Sequence, residues 1–135
     1  MFNELYDEQQ ELLKAYQNNG KLFLHSLEEK DRDDIKKMGL SSGLSESDKT
    51  VLYVAEKLDA IILSSDKAVR KQAKKRTIEY HGMLWIFDCL VTENYLTKRE
   101  AREKLKTLIL TNIIYQNNMD LQKELDIRIK RWAEE

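Results

Sequence analysis

At 135 residues the chain is long enough for one compact domain, and a hydrophobic fraction of 41% suffices to fill a core. Charged side chains make up 35%, but 23 basic against 24 acidic groups leave a net charge of −1, which excludes global attraction to nucleic acid or anionic lipid. The single Cys89 excludes an internal disulfide and the Cys/His clusters of a structural zinc site are missing, while the longest near-apolar run, 83–91, contains Asp88 and is too short to span a bilayer.

Residues 1–15 are acidic rather than basic, unlike a signal peptide, so the expected location is cytoplasmic, with no membrane association. With no proline and four glycines, punctuation is sparse, and neither a linker nor a repeat interrupts the chain. The charges are segregated instead. Residues 1–34 hold nine acidic and four basic groups, a net of −5; residues 67–76 hold six basic groups and no acidic one.

In chain order, Leu5, Leu12, Leu13 and Tyr16 recur near helical spacing and predict a helix over about 3–17, stopped by Asn18-Asn19-Gly20. Residues 21–27 switch to a strand-like run. Residues 28–38 read as a short charged helix or loop, and 39–43 as a break. Ser45 with Asp48 three positions on is a variant of the reciprocal N-terminal cap, and Val51, Leu52, Ala55 and Leu58 carry the helix to about Asp59. Residues 60–63 are short, apolar and β-branched, as buried parallel strands are. Asp66 can then cap a helix over 67–75. Residues 77–80 predict another strand, and His81-Gly82 turns into an apolar helix over 83–91. The last 40 residues are helical: Thr97 and Glu100 form a capping box, and Asp120 is the expected cap of a final helix striped by Leu121, Leu125, Ile129 and Trp132.

Strand and helix alternate through the middle of the chain, so the fold class is α/β with a small parallel sheet. In such sheets chemistry gathers beyond the carboxyl ends of the strands. Asp66 falls there, and the helix turn holding Asp48 can face the same edge. Carboxylates so placed suit Mg²⁺ or Mn²⁺, which prefer hard oxygen ligands, polarise a phosphodiester and acidify an attacking water. The plainer reading of both residues is helix capping, favoured by the helix dipole.

The stretch from Gly43-Leu44-Ser45-Glu46-Ser47-Asp48 through Val51-Leu52-Tyr53-Val54-Ala55 to Ile61-Ile62-Leu63-Ser64-Ser65-Asp66 resembles the PIN domain family. Ile78-Glu79-Tyr80-His81-Gly82-Met83-Leu84 continues the likeness, which covers about 4–92. The resemblance implies a parallel sheet with helices on both faces, a core over 1–92 and a helical extension over 93–135 of the same domain. It also implies a divalent-metal-dependent endoribonuclease, related to toxins, with Asp48 and Asp66 as metal ligands and Glu4 as the third acid. Mg²⁺ or Mn²⁺ would be the cofactor, RNA the substrate, and a homodimer or a small antitoxin-like protein the assembly. Family members also begin with a strand ending in Asp, to which no segment here corresponds, so the sheet is expected to be incomplete at its N-terminal side. The alternative is a catalytically inactive PIN-like binding protein; a third reading is a plain helical interaction protein whose strand assignments fail.

The remaining residues have simpler roles. Lys67, Arg70, Lys71, Lys74, Lys75 and Arg76 offer a phosphate-contacting face of which only some members share one side of the helix, the plain reading being a solvated run. His81 shapes a turn, Cys89 packs, and Asp88 pairs with a basic side chain. Trp85 and Trp132 are core or interface anchors. Leu108, Ile109, Leu110, Ile113, Ile114 and Tyr115 exceed what a solvent-facing tail needs, and divide between covering the sheet and forming a partner surface.

Overall fold

A computed structural model describes residues 2–134. After a short 3₁₀ turn at Phe2–Glu4 the element order is α1 (Asp7–Asn18), α2 (Glu29–Lys37), α3 (Glu46–Leu58), β1 (Ile62–Leu63), α4 (Lys67–Lys75), β2 (Tyr80–His81), α5 (Met83–Thr92), α6 (Lys98–Thr111), α7 (Ile113–Gln116) and α8 (Met119–Arg131). The fold is mostly helical, with one small two-stranded sheet among the described residues. Two hydrogen bonds establish its direction: Ile62 N–H donates to Glu79 C=O and Ser64 N–H to His81 C=O, so the register advances equally on both strands and the pair is parallel. None of the described helices is long and apolar enough to cross a membrane.

The chain packs as two compact units. Of the described residues, the first comprises 2–62 and 66–79, the second 63–65 and 80–134. In the first, α2 packs on α3 and α3 on α4. Its buried apolar side chains include Ile35, Leu44, Leu52, Ala55, Ile62, Val69, Ala73 and Ile78. The second has a core of Leu84, Ala101, Leu105, Tyr115, Leu125 and Trp132, flanked by Phe87, Val91 and Leu108. Helix α5, expected with the core over 1–92, therefore groups with the C-terminal helices. Asp88 on α5 finds its basic partner in this unit: Arg128 Nε donates to both carboxylate oxygens at 3.0 and 3.1 Å, and a terminal guanidinium nitrogen donates to Oδ2 at 2.7 Å. His81 stacks on Trp85 with ring centroids 4.1 Å apart.

Several boundaries differ from expectation, each for a local reason. The strand over 21–27 is not formed: residues 22–28 belong to no helix or ladder, and Phe23 and Leu24 are 84% and 50% exposed. A run such as Leu22-Phe23-Leu24 is strand-competent, but only a hydrogen-bonded neighbour makes it a strand. The strand expected at 60–63 begins at Ile62 because Asp59 turns left-handed (φ 51°) and Ala60 N–H still closes the helix end on Ala55 C=O. The strand at 77–80 shrinks to Tyr80–His81 because Thr77 also has positive φ (58°). Helix α1 begins at Asp7, after Tyr6 N–H bonds Gln9 Oε1 at 3.1 Å. The cap of the last helix is Asn118, not Asp120; Asn118 Oδ1 accepts from the N–H groups of Asp120 and Leu121.

Candidate nucleic-acid interface and acidic residues

Helix α4 forms because Asp66 caps it strongly, its Oδ1 accepting from Ala68 N–H at 2.8 Å and Val69 N–H at 3.0 Å. Val69 and Ala73 are buried and set which face of the helix points inward. Lys67, Lys71, Lys74 and Lys75 follow at spacings of four, three and one, which places them on the opposite, exposed side. Arg70 is half-buried, and Arg76 turns away from the lysines, its Nε lying 3.1 Å from Glu56 Oε2. The basic run therefore resolves into four lysines on one face. Beside it lies an open cleft of about 320 Å³, lined by Ser41, Gly43, Leu44, Ala68, Lys71 and Gln72, with Lys75 at its edge. Four ammonium groups beside one cleft, with no acid on their own helix, make a local positive field in a near-neutral chain.

The acids singled out by sequence all lie in the first unit. Asp48 occupies the third position of α3, half-buried; its Oδ2 accepts from Ser45 N–H at 3.2 Å while its own N–H donates to Ser45 Oγ at 3.1 Å. Asp66 sits one residue before α4, which packs on α3, so both carboxylates belong to N-terminal turns of neighbouring helices. Glu4 ends the opening 3₁₀ turn and is exposed. Both aspartates bind main-chain N–H groups. Among the described residues no three His, Cys, Asp or Glu side chains converge as a metal-holding group. The acids are thus not gathered into a many-carboxylate cage, whereas Mg²⁺ takes only one or two protein carboxylates and completes its coordination with water and substrate phosphate.

A different polar cluster, missed in the sequence, joins α2 to α3. Asp31 is buried, with 6% exposure. Its Oδ1 accepts from Tyr53 OH at 2.7 Å and from Lys57 Nζ at 3.0 Å, and its Oδ2 accepts from Glu28 N–H at 2.9 Å. These donors, Tyr53 foremost, hold the Asp31 carboxyl well below the usual carboxylate range; Asp31 in turn raises the pKa of Tyr53 and Lys57, keeping the phenol neutral and the ammonium charged. The signal was available: Asp31 stands four residues before Ile35, and Tyr53 four before Lys57, so each pair shares a helix face. This cluster is fully engaged within the fold, and its chemistry is cohesion.

Across known proteins, a family model described as PIN domain matches residues 2–124. Neither a curated protein nor a solved structure gives a significant match.

Proposed function

We propose that this chain, which belongs to the PIN domain family, binds the sugar–phosphate backbone of single-stranded RNA through the lysine face of α4 and the adjoining cleft. The observation that carries this reading is the clustering of Lys67, Lys71, Lys74 and Lys75 on one exposed face, when the net charge of the whole chain is only −1. Ammonium groups contact phosphates as point charges and carry no base preference, so the surface positions RNA rather than reading it. Stacking platforms are not part of this face. Binding is therefore strongly dependent on salt.

With four phosphate contacts, the logarithm of the binding constant falls against the logarithm of salt with a slope of roughly −3, and each Lys→Gln substitution makes it shallower by about one contact's share. Fluorescence anisotropy of a labelled single-stranded RNA, titrated at several salt concentrations, measures this. Lys71→Gln with Lys75→Gln should weaken binding and flatten the slope. An unchanged slope would assign RNA binding, if any, to another surface.

A second reading is favoured by the placement of Asp48 and Asp66 in the first turns of the packed helices α3 and α4. It is a PIN-type endoribonuclease dependent on Mg²⁺ or Mn²⁺, with Glu4 as a further acid. In this reading the ion would complete its coordination with water and RNA phosphate oxygens. Asp66→Asn discriminates cleanly, because Asn caps a helix as well as Asp does. Loss of Mn²⁺-stimulated RNA cleavage, with RNA binding and melting temperature unchanged, would support the nuclease. Intact RNA at millimolar Mn²⁺ with the unsubstituted chain would leave the binding reading standing alone.

A further inference from the structure

A second cleft, of about 410 Å³, opens between α2 and α3 within the first unit. That volume is in the range of small-molecule sites. Its floor is apolar: Ile35 is buried, and Leu27 and Leu40 are half-buried. Its rim is basic, with Arg32 and Lys36 from α2 and Lys49 from α3. None of these residues belongs to α4, so the RNA reading makes no use of them.

The polar groups of this cleft divide into engaged and free. Lys49 Nζ donates to Glu46 Oε1 at 3.1 Å, so these two charges cancel. Thr50 Oγ1 donates to Glu46 C=O at 2.8 Å, which commits its only proton. Arg32 and Lys36 differ. Among the described residues neither side chain makes a hydrogen bond or an ion pair, although Glu28 and Glu29 stand one turn before Arg32. Four positions apart, the two cations share one side of α2, and the buried Ile35 lies on that side with them. Two cations without a counter-charge at the mouth of an apolar cleft match an anion that carries an apolar body.

We infer that this cleft binds a terminal phosphomonoester whose ester group is a compact, largely apolar ring. Such a phosphate carries about −1.5 to −2 at neutral pH and offers three acceptor oxygens. It therefore answers both free cations: the Arg32 guanidinium takes two oxygens as a fork, and the Lys36 ammonium takes the remaining one as a point charge. A carboxylate brings a single charge and leaves one cation unanswered. An internal phosphodiester of a polymer has the same shortfall, and both of its sides are occupied by chain. The ester group lies against Leu27, Ile35 and Leu40, where burial of apolar surface adds to the charge pairing. The ligand is thus either a free small molecule or the phosphorylated end of an RNA.

Isothermal titration calorimetry of the full chain with phenyl phosphate, benzoate and inorganic phosphate tests this. Phenyl phosphate should bind about tenfold more tightly than either of the others, because only it has both the charge and the ring. Arg32→Gln and Lys36→Gln should each weaken it by about tenfold. Leu40→Ser should bring it toward the affinity of inorganic phosphate. Lys71→Gln with Lys75→Gln, on the α4 face, should leave it unchanged, which keeps this test independent of the RNA reading. Arg32 and Lys36 are exposed, and far-UV circular dichroism checks that each variant keeps its fold. Competition in the Lys71→Gln/Lys75→Gln chain identifies the source. Displacement by a 5′-phosphorylated oligoribonucleotide, and not by its 5′-hydroxyl form, upholds the site as one for an RNA end. Displacement by a free 5′-mononucleotide alone upholds it as one for a small molecule. Phenyl phosphate that fails to bind at millimolar concentration, binds no better than benzoate, or binds Arg32→Gln undiminished would overturn the assignment.

Discussion

The lysines and acids of α4 and α3 act through position more than through unusual chemistry, whereas Asp31 is held in an environment of its own. Three donors, two on α3 and one just ahead of α2, converge on one buried carboxylate, and the first of them is a tyrosine hydroxyl. Because Asp31 ionises below its ordinary range in the folded chain, the unfolded chain takes up its proton at a higher pH. The stabilisation is therefore complete above the ordinary Asp range and is lost as pH falls through that range toward the folded value. Thermal melts between neutral pH and about pH 3 should show a falling melting temperature. Tyr53→Phe, which removes the largest cause of the shift, should lower the neutral-pH melting temperature and reduce its further fall on acidification. An equal acid-induced fall in both proteins would place the sensitivity elsewhere.

Among the elements, five helices are preceded by a residue whose side chain accepts from main-chain N–H groups of the first turn. Ser45, Asp66, Thr97, Asn112 and Asn118 all do so. Thr97 also donates through its Oγ1 and N–H to Glu100, whose carboxyl is lowered by these bonds. Replacing Thr97 by Ala should cost about 1 kcal/mol of stability, measured by urea titration, and Asp66→Ala a similar amount, whereas Asp66→Asn should be close to neutral. That ordering separates capping from any demand for charge at residue 66. If Asp66→Ala and Asp66→Asn destabilised equally, the carboxylate would have a structural role beyond capping. The elements that failed to appear are equally informative. The segment over 21–27 has the strand-like run Leu22-Phe23-Leu24 and no ladder, while the two strands that do form are only two residues long. Helix α1 has no buried residue, even though its apolar residues recur with helical spacing.

On the scale of the whole molecule, burial is organised around two separate compact units. Leu52 in the first and Leu125 in the second are both completely inaccessible to solvent. Truncating either to Ala should destabilise its unit by about 2–5 kcal/mol, the range expected for a buried leucine. Denaturant unfolding followed by circular dichroism measures the loss. A cost below about 1 kcal/mol at Leu125 would mean that the core around Trp132 is far more adaptable than close packing allows. The lysine face proposed to contact RNA lies in the first unit.

What the sequence determined by itself is mostly local. Capping chemistry placed the starts of α3, α4 and α6, because a cap needs only residues within three positions of one another. The family likeness between Gly43 and Leu84 pointed to the PIN domain, and the match over residues 2–124 bears it out. The pairing of Asp88 was legible as a charge inside an apolar helix, although its partner lies 40 residues away. Only the tertiary structure decided which strand-competent segments gained a neighbour, which six cations resolved into one face of four lysines, and that Asp31 rather than Asp48 or Asp66 became the buried carboxylate. Each of these depends on what a distant segment brings within hydrogen-bonding or packing distance. Periodicity specifies a helix face or a strand face, but its burial and its ionisation are settled by the neighbour that covers it.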